Sequence, residues 1–130
     1  MKEMLDQMAA LANADGRHVA RGQHLSLAFK LDCGERYWLI DIENGTVAGI
    51  RPGPVMMPDF RFVIRCAEDH WREHWQARPR PGWQDIFGMQ RHHGLTIEGD
   101  LHPFIANLFW FKDLLAMPRR AAGKAQAAAA

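Results

Sequence analysis

Cysteine is scarce in this chain, and the shortage already removes several classes of protein. Cys33 and Cys66 are the only two. They are too few and too isolated for a disulfide framework or a cysteine metal cage, so both read as buried or strand thiols. Excess charge is missing as well: the net charge is +1, which gives no electrostatic reason to expect nucleic acid or an acidic membrane as partner. Long apolar runs are absent. The longest is interrupted by Lys112 and Asp113, short of the roughly 18 residues that span a bilayer, so no stable membrane insertion is expected. The N-terminus, MKEMLDQMAALANADG, has neither the basic start nor the continuous apolar stretch of a signal peptide, and the expected location is the cytoplasm. The loops at Gly53 and Gly82 are stiffened by proline and lack a following Lys-Ser or Lys-Thr, so they are not phosphate loops. Ser26 sits in no glycine elbow. The expectation is a protein that is not an enzyme and uses no cofactor.

What is present suits one domain. The chain has 130 residues, 48% of them hydrophobic and 24% charged, enough for a single core. Seven Met and five Trp stand out in so short a sequence; Met fills irregular apolar space, in a malleable cavity or in an ordinary core. Met4, Leu5, Met8, Leu11 and Ala12 recur at helical spacing, and Asp15-Gly16 is expected to close that helix. Residues 25–31 alternate apolar and polar, as do 36–42, with Trp38, Ile40 and Ile42 on one face. Asn44-Gly45 predicts a type I′ hairpin into a third strand over 46–50. Prolines 52, 54 and 58 make the next stretch a loop. Residues 59–66 resume the alternation with Phe60, Phe62, Ile64 and Cys66 inward. Helices are predicted over 67–76 and 83–93, the first ended by the proline-rich loop 77–82.

The stretch the rest is organised around is GLTIEGDLHPFIANLFWFKDLLAM, residues 94–117. It predicts a short strand at Leu95 and Ile97, a break at Gly99, and one helix from Asp100 to Ala116 with Asp100 as its cap and Pro103 in its first turn. Phe104, Leu108, Phe111 and Leu115 share one face, widened by Leu101, Ile105, Phe109 and Leu114. A helix apolar over so wide an arc must be covered by its own domain, by a partner, or by an apolar ligand. Together these elements predict an α+β fold: a five-stranded, mostly antiparallel sheet with helices on one face and a hydrophobic tunnel between them. Residues 1–118 would form the domain and 119–130 a flexible Ala-rich tail.

NGTV in a hairpin, then PDFRFVIRCAEDHW, then GLTIEGD leading into a long apolar helix, together resemble the sterol carrier protein-2 (sterol-transfer) domain over about residues 25–115. The resemblance implies a non-enzymatic tunnel for a hydrophobic small molecule such as a fatty acid, a sterol-like lipid or a quinone precursor. By position, its walls would be Trp38, Ile40, Phe60, Phe62, Ile64, Phe87, Phe104, Leu108, Phe111 and Leu115. Two rival readings stay open. One is an accessory or dimerisation subunit of a lipid or quinone biosynthetic enzyme, with a filled core and the last helix docking a partner or a second copy. The other is a small zinc enzyme on His70, Glu73 and His74, which spell H-x-x-E-H within HWREH. His92-His93 at a helix end and the strand arginines Arg61 and Arg65 complete the candidates; both sets also read as ordinary surface.

Overall fold

A computed structural model describes residues 1–129. Its elements run α1 (Lys2–Ala14), α2 (Gly16–Arg21), β1 (Leu27–Asp32), β2 (Tyr37–Glu43), β3 (Thr46–Pro52), β4 (Phe62–Arg65), α3 (Glu68–His74), α4 (Ile86–His92), β5 (Thr96–Gly99), α5 (His102–Ala106), α6 (Leu108–Leu115) and α7 (Met117–Ala129). The five strands form one sheet in the order β3-β2-β1-β4-β5. The β1–β4 pair is parallel and the other three are antiparallel, so the α+β, mostly antiparallel architecture expected from the sequence is the one observed. Among the described residues no helix is long and apolar enough to cross a membrane.

Strand alternation decides what each sheet face meets. Phe29, Leu31, Trp38, Ile40, Ile42, Phe62 and Ile64 point to the helix side and join one buried cluster with Leu5, Met8 and Ala12 of α1 and Phe111, Leu114 and Leu115 of α6. The opposite face carries Lys30, Asp32, Leu39, Val63 and Arg65. There Arg65 bridges Asp32 at 3.5 Å and also pairs with Glu98. The proline loop 53–61 shields part of that face: Tyr37 Oη accepts the Val55 N–H at 2.8 Å, and Lys30 Nζ lies 4.2 Å from the Tyr37 ring centre. The edge strand β3 is pinned by Asn13, whose amide donates to Val47 O at 3.0 Å and accepts from Val47 N at 2.8 Å.

Four local expectations change. Asp15-Gly16 closes α1 but also opens α2, because the Asp15 carboxylate accepts the N–H groups of Arg17 and His18. The helix expected over 83–93 starts only at Ile86, where Asp85 supplies the cap by accepting the Phe87 N–H. The single helix expected from Asp100 to Ala116 is two: the Asn107 side chain donates to Pro103 O at 2.9 Å and its backbone turns to φ −122°, breaking the run between α5 and α6. Asp100 accepts the His102 N–H at 3.3 Å from just outside the cap, which is Leu101. The stretch expected as a flexible tail is helical in α7, which runs back along α1. Arg119 ties its start to the body, donating to the His74 and Gln84 carbonyls, and Arg120 pairs with Asp15 at 2.8 Å. Ala130 of that stretch lies outside the described residues.

The hairpin turn and the end of α2 meet backbone to backbone. Asn44 and Gly45 take the positive φ of the expected turn, 50° and 82°. A Cβ on Gly45 would stand 2.5 Å from Val19 O, and one on Gly22 would stand 2.5 Å from Trp110 Nε1.

Candidate functional site

The region expected to enclose a ligand, between the sheet and α5–α6, is an aromatic layer. Phe29 of β1 stacks on Phe62 of β4 at 5.3 Å between ring centres. Phe111 of α6 stands edge-on to both, at 5.6 and 5.3 Å. Phe104 of α5 meets Phe62 at 5.4 Å and Phe111 at 5.5 Å. These separations are those of directly packed rings. Of the ten proposed wall residues, Trp38, Ile40, Phe62, Ile64, Phe104, Phe111 and Leu115 are buried together here. The other three are not. Phe60 lies toward the opposite sheet face, with Lys30 Nζ 5.6 Å from its ring centre. Phe87 sits half-buried under Lys112, whose Nζ is 4.6 Å from the ring centre, and Leu108 is half-buried at the start of α6. The outer side of the same two helices is bare, with Leu101 38%, Ile105 57% and Phe109 73% exposed.

The H-x-x-E-H residues share α3 but engage separate partners. His70 Nδ1 contacts His93 O at 3.0 Å, Glu73 pairs with Arg80 at 3.2 Å, and His74 Nδ1 donates to Trp83 O at 2.8 Å. Among the described residues no three His, Cys, Asp or Glu side chains are gathered to hold a metal ion. Helical spacing brings two histidines to one helix, and each engages its Nδ1 with a carbonyl of the 83–93 segment. His93 stacks on Trp83 at 3.6 Å, and Arg61 and Arg65 are each paired, with Asp100 at 3.2 Å and with Glu98. Cys33 and Cys66 line one surface cleft where β1 and β4 end. Burial pushes both thiols up to about 12, which favours the protonated form.

Sequence reasoning missed a second group of buried rings. His18 of α2 is 0% exposed and stacks on Trp110 of α6 at 4.5 Å, while its backbone carbonyl accepts the Trp110 indole N–H at 3.0 Å. Among the described residues neither imidazole nitrogen of His18 has a hydrogen-bond partner, and the Trp71 Nε1 and His74 Nε2 atoms are buried without one as well. Burial is the main cause holding the His18 and His74 imidazoles neutral, His74 down to about 4. A cleft of 610 Å³ lies between α2 and the start of α7, lined by Asp15, Arg17, Ala20, Arg21 and Arg120. The signal for it was available in the pairing of Arg17 and Arg21 one turn apart with the Arg119-Arg120 step, but only the folding of α7 onto α1 brings the two together.

No family model and no curated protein sequence matches the chain. Solved structures do. The crystal structure of sterol carrier protein 2 is similar with a TM-score of 0.68 at 13% identity, over 90% of this chain and 94% of that one. TT1886 of Thermus thermophilus, described as possibly a sterol carrier protein, gives 0.62 at 14% identity, over 94% and 88%. A ubiquinone synthesis protein, UbiJ-SCP2, gives 0.60 at 9% identity, over 90% and 93%. The chain thus has the sterol carrier protein 2 fold, as its motifs suggested.

Proposed function

We propose that this protein is a non-enzymatic binder of a hydrophobic small molecule, taken up between the sheet and α5–α6. One observation carries the reading: at the centre of that space four phenylalanine rings meet without a polar atom, and the ring of Phe104 is brought there by the short helix α5. Phe104 is buried against Phe62 and Phe111 without any polar anchor. The helix that carries it, α5, has five residues and lies between Gly99 at φ +113° and the break at Asn107. Flanking breaks of that kind absorb backbone rotation. An apolar chain replacing Phe104 against the sheet exchanges one buried apolar surface for another, at about 25 cal/mol per Å² on each side. Trp38, Ile40, Phe62, Ile64, Phe104, Phe111 and Leu115 would line the opened space, with Leu108 and Phe87 at its rim. In this reading the chain works in the cytoplasm, presenting or transferring a fatty acid, a sterol-like lipid or a quinone precursor. The similarity to sterol carrier protein 2 in fold supports it.

The second reading, an accessory or dimerising subunit, is favoured by the filled aromatic layer and by the exposed Leu101, Ile105 and Phe109. Native mass spectrometry of the purified protein, with organic extraction of whatever is released, separates the two. A co-purifying lipid or quinone-like molecule supports the binder. An empty protein running as a dimer, or holding a partner chain, overturns it in favour of the subunit.

A further inference from the structure

The parallel pair of β1 with β4 ends in two thiols. Its last registered partners are Leu31 with Ile64 and Asp32 with Arg65. One step further along both chains, the same register sets Cys33 opposite Cys66. The ladder still holds there, because the Cys66 N–H donates to Asp32 O at 3.0 Å. Side chains alternate along a strand, so Cys33 and Cys66 share the helix-side face with Leu31 and Ile64. Burial agrees: Cys66 belongs to the core cluster and Cys33 packs against it. Neighbouring strands run about 4.8 Å apart, inside the span of about 4.4–6.8 Å between the Cα atoms of a disulfide.

A second observation concerns access. Both residues line one cleft of 380 Å³, together with Gly34 and Gly94. A Cβ on either glycine would meet nothing within 4 Å, so the cleft is open at both. Cys33 is the half-buried member of the pair and Cys66 the buried one. Burial first, and the neighbouring Cys66 next, push the Cys33 thiol up to about 12. Attack from it is therefore slow at neutral pH. A disulfide carries no charge, so the burial that opposes the thiolate does not oppose the cystine, and it shields the bond from other thiols.

We propose that Cys33 and Cys66 are a disulfide-forming dithiol site whose oxidant is a small peroxide entering by this cleft. The inference is independent of the hydrophobic-ligand reading. With hydrogen peroxide, the Cys33 thiolate attacks one oxygen, the O–O bond breaks, and water leaves a sulfenic acid on Cys33 once the second oxygen is protonated. The Cys66 thiolate then attacks the Cys33 sulfur, the S–O bond breaks, and a second water departs. Two thiols and one peroxide become one disulfide and two waters, with two electrons passing from the sulfurs to the peroxide. The product fastens β1 to β4 and closes the chain between residues 33 and 66 into a loop.

The test treats the folded full chain with hydrogen peroxide at mildly alkaline pH, blocks remaining thiols, and digests the protein without reductant for mass spectrometry. The expected product is a peptide pair linked through Cys33 and Cys66, with both thiols lost together. The linked protein should unfold about 10 °C higher than the reduced one, and dithiothreitol should restore the original midpoint. In Cys66→Ser the reaction should stop at a sulfenic acid on Cys33, trapped by dimedone. In Cys33→Ser the buried Cys66 should react about tenfold more slowly than Cys33 does. Thiols that survive in the folded protein but react in urea overturn the access. Thiol loss without an intrachain link, or a link that forms only in urea, overturns the pairing. A link that fails to raise the unfolding midpoint overturns the claim that the native register brings the two sulfurs together.

Discussion

Two sets of buried rings in this fold, one of phenylalanines and one of separate histidine–tryptophan pairs, are held by different means. Phe29, Phe62, Phe104 and Phe111 are carbon only, so shape alone fixes them, and every edge-to-face contact satisfies its neighbours. His18 with Trp110, and Trp71 with His74, are as deeply buried but carry nitrogens. The Trp110 N–H and His74 Nδ1 are matched, whereas both His18 nitrogens, Trp71 Nε1 and His74 Nε2 are not, among the described residues. The first cluster is finished by packing; the second has hydrogen-bonding capacity left over. A fold keeps such unmatched groups at a cost, so the polar cluster is where specificity is to be sought, and the apolar one is where stability resides.

Breaking the carbon cluster should have the largest effect. Phe62 touches Phe29, Phe104 and Phe111, and Phe62→Ala should cost about 3–5 kcal/mol by lost burial and the cavity left behind. Urea denaturation measures this, and a loss below about 1 kcal/mol would show that the rings are not mutually packed. Acid should act on the polar cluster instead. His74 is held down at about 4 against an ordinary 6.5, chiefly by burial. Its imidazole therefore protonates in the unfolded chain first, and stability should fall as pH drops from about 6.5 to 4, by about 3 kcal/mol. His18 and His93, also held down, add in the same direction. Asp15, lowered to about 2 by Arg120, enters only in a later window, below about 3.8. Denaturation midpoints at about pH 7 and about pH 4.5 read the histidine part; His74→Gln should flatten the profile, and a wild-type profile already flat would refute it. The smallest effect sharpens the comparison. His18→Phe keeps a ring on Trp110 and removes two unmatched nitrogens, so thermal unfolding should show a gain of about 1 kcal/mol. A loss of that size would mean the nitrogens are matched by an ordered water.

The carbon cluster was largely legible in the sequence and the polar one was not. Phe29 and Phe62, with Ile40 and Ile64 beside them, announce themselves because strand alternation sorts faces without any knowledge of the partner strand. The Asn44-Gly45 turn is legible for the same local reason. The parallel pairing of β1 with β4 is not local, since a loop and two other strands intervene. Asp15-Gly16 carries opposite messages, an end and a beginning, and the periodicity of six residues is too short to reveal α2. The break at Asn107 hides in an apolar run whose spacing continues across it, because an asparagine bonding back to Pro103 leaves no pattern in its neighbours. Ala-rich composition reads as a loose end, yet α7 is fixed by Arg119 on carbonyls brought from α3 and the loop before α4. Phe60 alternates correctly with Phe62 on paper but precedes the strand, where the chain has already turned toward Lys30.

The contact of Gly22 with Gly45 under the Trp110 indole ties three positions into one steric unit. A methyl group at 22 requires a smaller ring at 110, and one at 45 requires the end of α2 to retreat from the hairpin. A change at any one of them is therefore a change in how α2, the hairpin and α6 are spaced.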